Sequence, residues 1–85
     1  MTKEELVVGH TYEAKKRRQV IRYLFGDIVN DRMILHISDT HVQYDSPAIA
    51  IGRHYPKIPI EKFLSWARRD VTSEMPKGEW RKVTP

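Results

Sequence analysis

Three groups of residues in this chain have types and spacings suited to chemistry. Lys15, Lys16, Arg17 and Arg18 are consecutive, and Arg22 follows closely. Cations at this density suit phosphate contact, because each base that neutralises a phosphate releases condensed counterions. Tyr12 and Tyr23 flank the run, and a ring beside a basic groove offers a nucleobase a surface to stack on. The second group is His10, His36, His41 and His54 with Asp39 and Asp45. Asp39 and His41 could present a carboxylate and an imidazole to one divalent cation. A metal site needs three or four ligands converging from different elements, and no spacing here supplies that convergence, so neither a metal nor a cofactor is expected. The third group, Trp66, Arg68, Arg69 and Trp80, combines residue types that anchor protein interfaces.

The elements that must position these groups are mostly strands. Alternation over Val8–Ala14 turns Val8, Tyr12 and Ala14 inward and leaves Thr11 and Glu13 outward. Lys15 to Arg18 reads as a charged loop, and Val20–Phe25 as a second strand. Gly26-Asp27 marks a bend. Asn30-Asp31 has the composition of a two-residue hairpin turn, joining Ile28-Val29 to a strand over Arg32–Ser38, in which His36 alternates with Ile34. Asp39-Thr40 is the next turn. His41–Asp45 follows with Val42 and Tyr44 inward, and Ala48–Gly52 is a short apolar strand. Units of about 8–12 residues suit a small sandwich or barrel, and the expected form is a five-stranded antiparallel SH3-like barrel. Ile60, Phe63, Leu64 and Ala67 fall at i, i+3, i+4 and i+7, predicting one helix over 60–69 with Pro59 in its first turn and Arg68-Arg69 at its cationic end. The expected organisation is one domain over 1–70 and a flexible tail over 71–85.

With 85 residues, 40% of them hydrophobic, the chain can build one core of modest size, which makes a homo-oligomer one expected state. The absence of cysteine excludes disulfides and thiolate metal sites and favours the cytoplasm over an oxidising compartment. No apolar run reaches the length of a membrane span, so no membrane partner is expected. Charge is uneven: the net is +3 over 1–25, −2 over 26–55 and +3 over 56–85. Basic ends favour phosphate or an acidic partner.

The segment Met33-Ile34-Leu35-His36-Ile37-Ser38-Asp39-Thr40-His41 resembles the first metal-binding motif of calcineurin-like metallophosphoesterases. The resemblance covers about a tenth of the chain and implies a two-metal phosphoesterase with Asp39 and His41 as ligands. Gly26-Asp27 resembles that family's second block and Gly9-His10 half of its last, but both precede Asp39. An Asn-His pair is missing, and the family's β-sandwich needs about twice this length. The enzyme reading therefore ranks last and a non-catalytic protein is expected.

Two functions from different classes remain. In the first, a small basic module binds nucleic acid through Lys15, Lys16, Arg17, Arg18 and Arg22, with Tyr12 and Tyr23 supporting bases. In the second, a protein-interaction module or inhibitor, such as a phage or mobile-element accessory protein, engages its partner through a strand edge and Trp66, Arg68, Arg69 and Trp80.

Overall fold

Val42 and Tyr44 both point into the core, as their alternation with Gln43 requires. In the computed structural model, residues 1–22, 26–49, 52–77 and 80–82 are described. Along the chain lie β1 (Thr11–Ala14), β2 (Gln19–Arg22), β3 (Gly26–Val29), β4 (Arg32–Ile37), β5 (His41–Asp45), β6 (Lys57–Pro59), α1 (Ile60–Trp66) and β7 (Ala67–Asp70). Five strands form one antiparallel sheet in the order β6-β5-β4-β1-β7, while β2 and β3 pair as a separate hairpin. Among the described residues no ladder joins β6 to β7, so the sheet does not close into a barrel; α1 connects these two edge strands.

One face of the sheet carries the core. Tyr12, Ile34 and Val42 from the strands and Phe63 from α1 are all fully buried, joined by Leu6, Tyr44, Ile60 and Ala67. Tyr12 and Phe63 meet edge to face, with centroids 5.7 Å apart and planes at 86°, a geometry worth about 0.5–1.5 kcal/mol beyond area burial. The Tyr12 hydroxyl accepts from the Val7 N–H and donates to the Glu5 carbonyl, each at 2.8 Å.

The helix is shorter than its expected 60–69 span. Its seven residues are too few to hold together in water alone, so burial of Ile60 and Phe63 stabilises it. At Ala67 the backbone becomes extended (ψ 135°), and Ala67–Asp70 pairs with β1 instead. The reason is the exposed edge that β1 would otherwise present, whose unpaired N–H and C=O groups β7 satisfies. Pro59 stands before the helix as its cap residue.

Four other expectations need correction. The Asn30-Asp31 hairpin does not form: β3 pairs with β2, and β4 with β1 and β5. Both residues have negative φ, whereas a type I′ turn needs positive φ at both central positions. In β4, register slips between Ile34 and His36, and this bulge at Leu35 exposes His36 and turns Ile37 toward the core. Val8 is exposed, in a turn whose Gly9 takes φ 88° before β1 begins. Ala48 lies in a turn rather than a strand. Residues 50 and 51 of that expected strand, and 23–25 of the second expected strand, lie outside the described residues.

The stretch expected to be a flexible tail is tied down at several points. Val71 is fully buried, Thr72–Glu74 form a 3₁₀ turn, Ile28 bridges to Lys82, and the Val29 N–H donates to the Arg81 carbonyl at 3.0 Å. This segment covers the second face of the sheet, which is why Thr11 and Glu13 are buried rather than outward.

Candidate functional site

The basic loop is anchored at both ends. The Lys15 N–H donates to the Trp66 carbonyl at 2.8 Å, at the end of α1. At the other end, the Arg18 N–H donates to Asn30 Oδ1 at 2.8 Å and the Asn30 N–H donates to the Arg18 carbonyl at 3.0 Å. These bonds pin Lys15–Arg18 between the helix terminus and the start of β4. Beside the loop is an open cleft of about 360 Å³ lined by Lys15, Lys16, Arg18, Asn30, Arg32, Ser65 and Trp66.

Arg32 is the half-buried cation of this cleft. Its guanidinium carbon lies 4.3 Å from the Tyr44 ring centroid and 4.1 Å from that of Trp66. Cation–π contact at such distances is worth about 0.5–2 kcal/mol, depending on desolvation. The N–H donors of a guanidinium all lie in its plane. Among the described residues no carboxylate pairs with Arg32 and no acceptor takes its hydrogen bonds. Burial pushes the Arg32 guanidinium below the ordinary arginine value, with Tyr44 opposing, and an arginine stays charged under such a shift.

The charged groups of the lining share one sign. Lys15, Lys16, Arg18 and Arg32 are cations, and no carboxylate lines the cleft. Asn30 already uses Oδ1 to accept from Arg18, so its remaining offer is two N–H donors; Ser65 and Trp66 add a hydroxyl and an indole N–H. Donors and cations without a carboxylate are groups that can bind an anion.

The structure thus joins part of one expected group to part of another. Lys15, Lys16 and Arg18 share the cleft with Trp66, expected as part of a separate protein interface. Arg17 leaves the cleft group and lies near enough to Glu74 to influence its carboxyl. Arg22 belongs to β2, with its side chain outside the described set, and Tyr23 lies outside the described residues altogether. Tyr12 is fully buried; its ring has no face open to a base, which corrects its expected stacking role. Arg68, Arg69 and Trp80 do not join Trp66. Arg68 is exposed, Arg69 bonds Glu13 at 3.0 Å and pairs with Glu74, and Trp80 lines a different groove with Met33, Met75 and Pro76. Sequence reasoning missed Arg32, Asn30 and Ser65. Arg32 opens a strand beside a turn-like dipeptide, and nothing local signals that two distant rings will stack on it.

A second charged cluster lies behind β1. Arg81 bonds Asp31 through two nitrogens, at 2.7 and 2.9 Å, and Glu13 at 3.2 Å. The Asp31 side chain is fully buried and that of Glu13 only 6% exposed. Burial works to raise the Glu13 carboxyl, but bonds and charges from Arg81 and Arg69 outweigh it and hold the group below its ordinary value. Asp70 is likewise lowered: burial opposes, while His10 at 2.7 Å and Thr72 prevail. A carboxyl whose folded pKa is depressed stabilises the fold above its unfolded pKa, and that stability disappears as pH falls through the folded value. The melting temperature is therefore expected to be flat near neutrality and to fall steadily below about pH 4.5, the ordinary glutamate value. Glu13→Gln should flatten that acid limb in a pH series of thermal melts; an unchanged limb would remove Glu13 from the account.

Asp39 and His41 lie exposed at the β4–β5 turn, where Thr40 Oγ1 and His41 Nδ1 are 2.7 Å apart. Among the described residues no group of three or more ligating side chains converges, and no helix is long and apolar enough to cross a membrane. Comparison with protein-family models, characterised proteins and solved structures finds no match. Fold and cleft together define a small, mostly-β protein with a donor-lined cationic cleft.

Proposed function

We propose that this protein is a non-catalytic nucleic-acid-binding module whose phosphate contacts are made in the cleft between the basic loop and the end of α1. One observation carries the reading: Arg32 is a half-buried cation without an acidic partner among the described residues, surrounded by three more cations and no carboxylate. Leaving a buried charge unpaired costs free energy, and a phosphate supplied from outside removes that cost. The sheet order, with a helix between the two edge strands, is consistent with an SH3-like form for the scaffold. A cytoplasmic location belongs to the same proposal.

The test is fluorescence anisotropy with a labelled oligonucleotide, titrated at several salt concentrations. Non-specific binders of this kind reach dissociation constants of about 10⁻⁴–10⁻⁶ M at physiological salt. Each lost phosphate contact lowers the salt slope by roughly 0.7–0.9. The combined variant Lys15→Ala, Lys16→Ala, Arg18→Ala is expected to weaken binding by more than tenfold and to reduce the slope by about two to three. Wild-type affinity in that variant overturns the assignment. Equal competition by polyglutamate and by unlabelled oligonucleotide, at matched charge, turns the reading toward an acidic protein partner.

A further inference from the structure

We infer that the cleft takes an unpaired nucleotide, so that the ligand is single-stranded nucleic acid, read without base preference and held by one phosphate on the edge of Arg32. The inference rests on the nucleic-acid reading and narrows it.

The size of the site bears on the class of ligand. At about 360 Å³, the cleft is near the lower end of pockets that enclose small molecules. Lys15, Lys16 and Arg18 of the basic loop line it together with Ser65 and Trp66 of α1, the two segments being linked by the 2.8 Å bond from Lys15 to Trp66. A duplex carries its phosphates on a stiff, regular backbone. It could touch the exposed ends of Lys15, Lys16 and Arg18, but it is poorly shaped to bring a phosphate onto the half-buried Arg32. A flexible single strand can do so.

The geometry of Arg32 determines what is read. Contact with the Tyr44 and Trp66 rings, at 4.3 and 4.1 Å, restrains the guanidinium, and its donors, which no acceptor among the described residues takes, are open to a pair of phosphate oxygens. Arginine–phosphate pairs are commonly bidentate through those donors, which lysine cannot reproduce. Because Arg32 lies over the Trp66 ring, that indole face is closed to a base. Recognition then goes to phosphate and sugar, which carry no sequence information. Trp66 becomes an optical reporter of occupancy at Arg32.

The deciding experiment compares a dodecamer single strand with its own duplex, against wild type, Arg32→Lys and Trp80→Phe. Trp80 lines the other groove, so its replacement leaves Trp66 as the lone tryptophan signal. In the Trp80→Phe background, single strand is expected to change Trp66 emission and to bind at least tenfold more tightly than duplex. Single strands of different base composition should bind within about threefold of each other. Arg32→Lys keeps the charge, so the salt slope should hold within about half a unit while affinity for single strand falls at least tenfold. Far-ultraviolet circular dichroism and urea midpoints confirm that the variant is folded. Equal binding of duplex and single strand, with Arg32→Lys indistinguishable from wild type, overturns this inference and leaves the broader reading intact. Binding of neither form overturns both.

Discussion

Arg81→Ala is expected to lower the free energy of unfolding by about 3–5 kcal/mol, the range for removing one partner of a buried charged pair. The loss does not measure the worth of the Arg81 contacts. It is mostly the cost of leaving the Asp31 carboxylate, 0% exposed, without a cation and the Glu13 carboxylate, 6% exposed, with Arg69 alone. Arg81 itself is pushed above the ordinary arginine value, first by its hydrogen bond to Asp31. For a domain of this size, total stability of about 5–15 kcal/mol leaves little margin. The effect also has a direction in space: Arg81 is the point where the C-terminal segment joins β1 and the start of β4. Without it, Lys77 should become a rapid tryptic site while the sheet persists. Urea unfolding and a trypsin time course check both parts. If neutralising the carboxylates as well, with Asp31→Asn and Glu13→Gln in the Arg81→Ala background, recovers none of the loss, the uncompensated-charge explanation is wrong.

The same cluster shows what the sequence could not disclose. Asp31 stands in an Asn-Asp dipeptide, two residue types favoured in tight exposed turns, yet its side chain is fully buried against an arginine fifty positions away. Glu13 alternates outward from Tyr12 and looks solvated until the C-terminal segment covers that face of the sheet. Both errors come from long-range charge pairing, which leaves no local pattern. Local signals performed better. The Val42 and Tyr44 alternation, the β4–β5 turn and the i, i+3, i+4 stripe of α1 each concern neighbours, and each is present in the structure. The stripe failed only at its end, because Arg68 and Arg69 suit a helix terminus as well as an edge strand, and β1 needed a partner. For the cleft, the run Lys15–Arg18 was legible as a basic loop and Trp66 as an aromatic off the buried stripe. Their meeting was not, since it depends on two backbone anchors and on Arg32 between rings from β5 and α1.

Phe63→Ala is expected to cost about 3–5 kcal/mol, as large aromatic truncations in cores do, and to damage the cleft without touching it. Phe63 is fully buried and contacts three rings: Tyr12 at 5.7 Å, Tyr44 at 6.1 Å and Trp66 at 5.3 Å. Two of those rings, Tyr44 and Trp66, are the pair that holds Arg32. The phenylalanine therefore supports from behind the surfaces on which the cation stacks, and a cavity in its place lets both rings shift. Phe63→Leu fills more of the space and should cost less in stability. It still removes the tilted ring contact with Trp66, so oligonucleotide affinity should fall further than the stability loss alone would suggest. Measuring urea midpoints and anisotropy on both variants, under conditions where each is fully folded, separates the two effects. Should Phe63→Leu retain wild-type affinity, the ring pair around Arg32 is held in place by the sheet and the loop anchors, and the aromatic cluster serves stability alone.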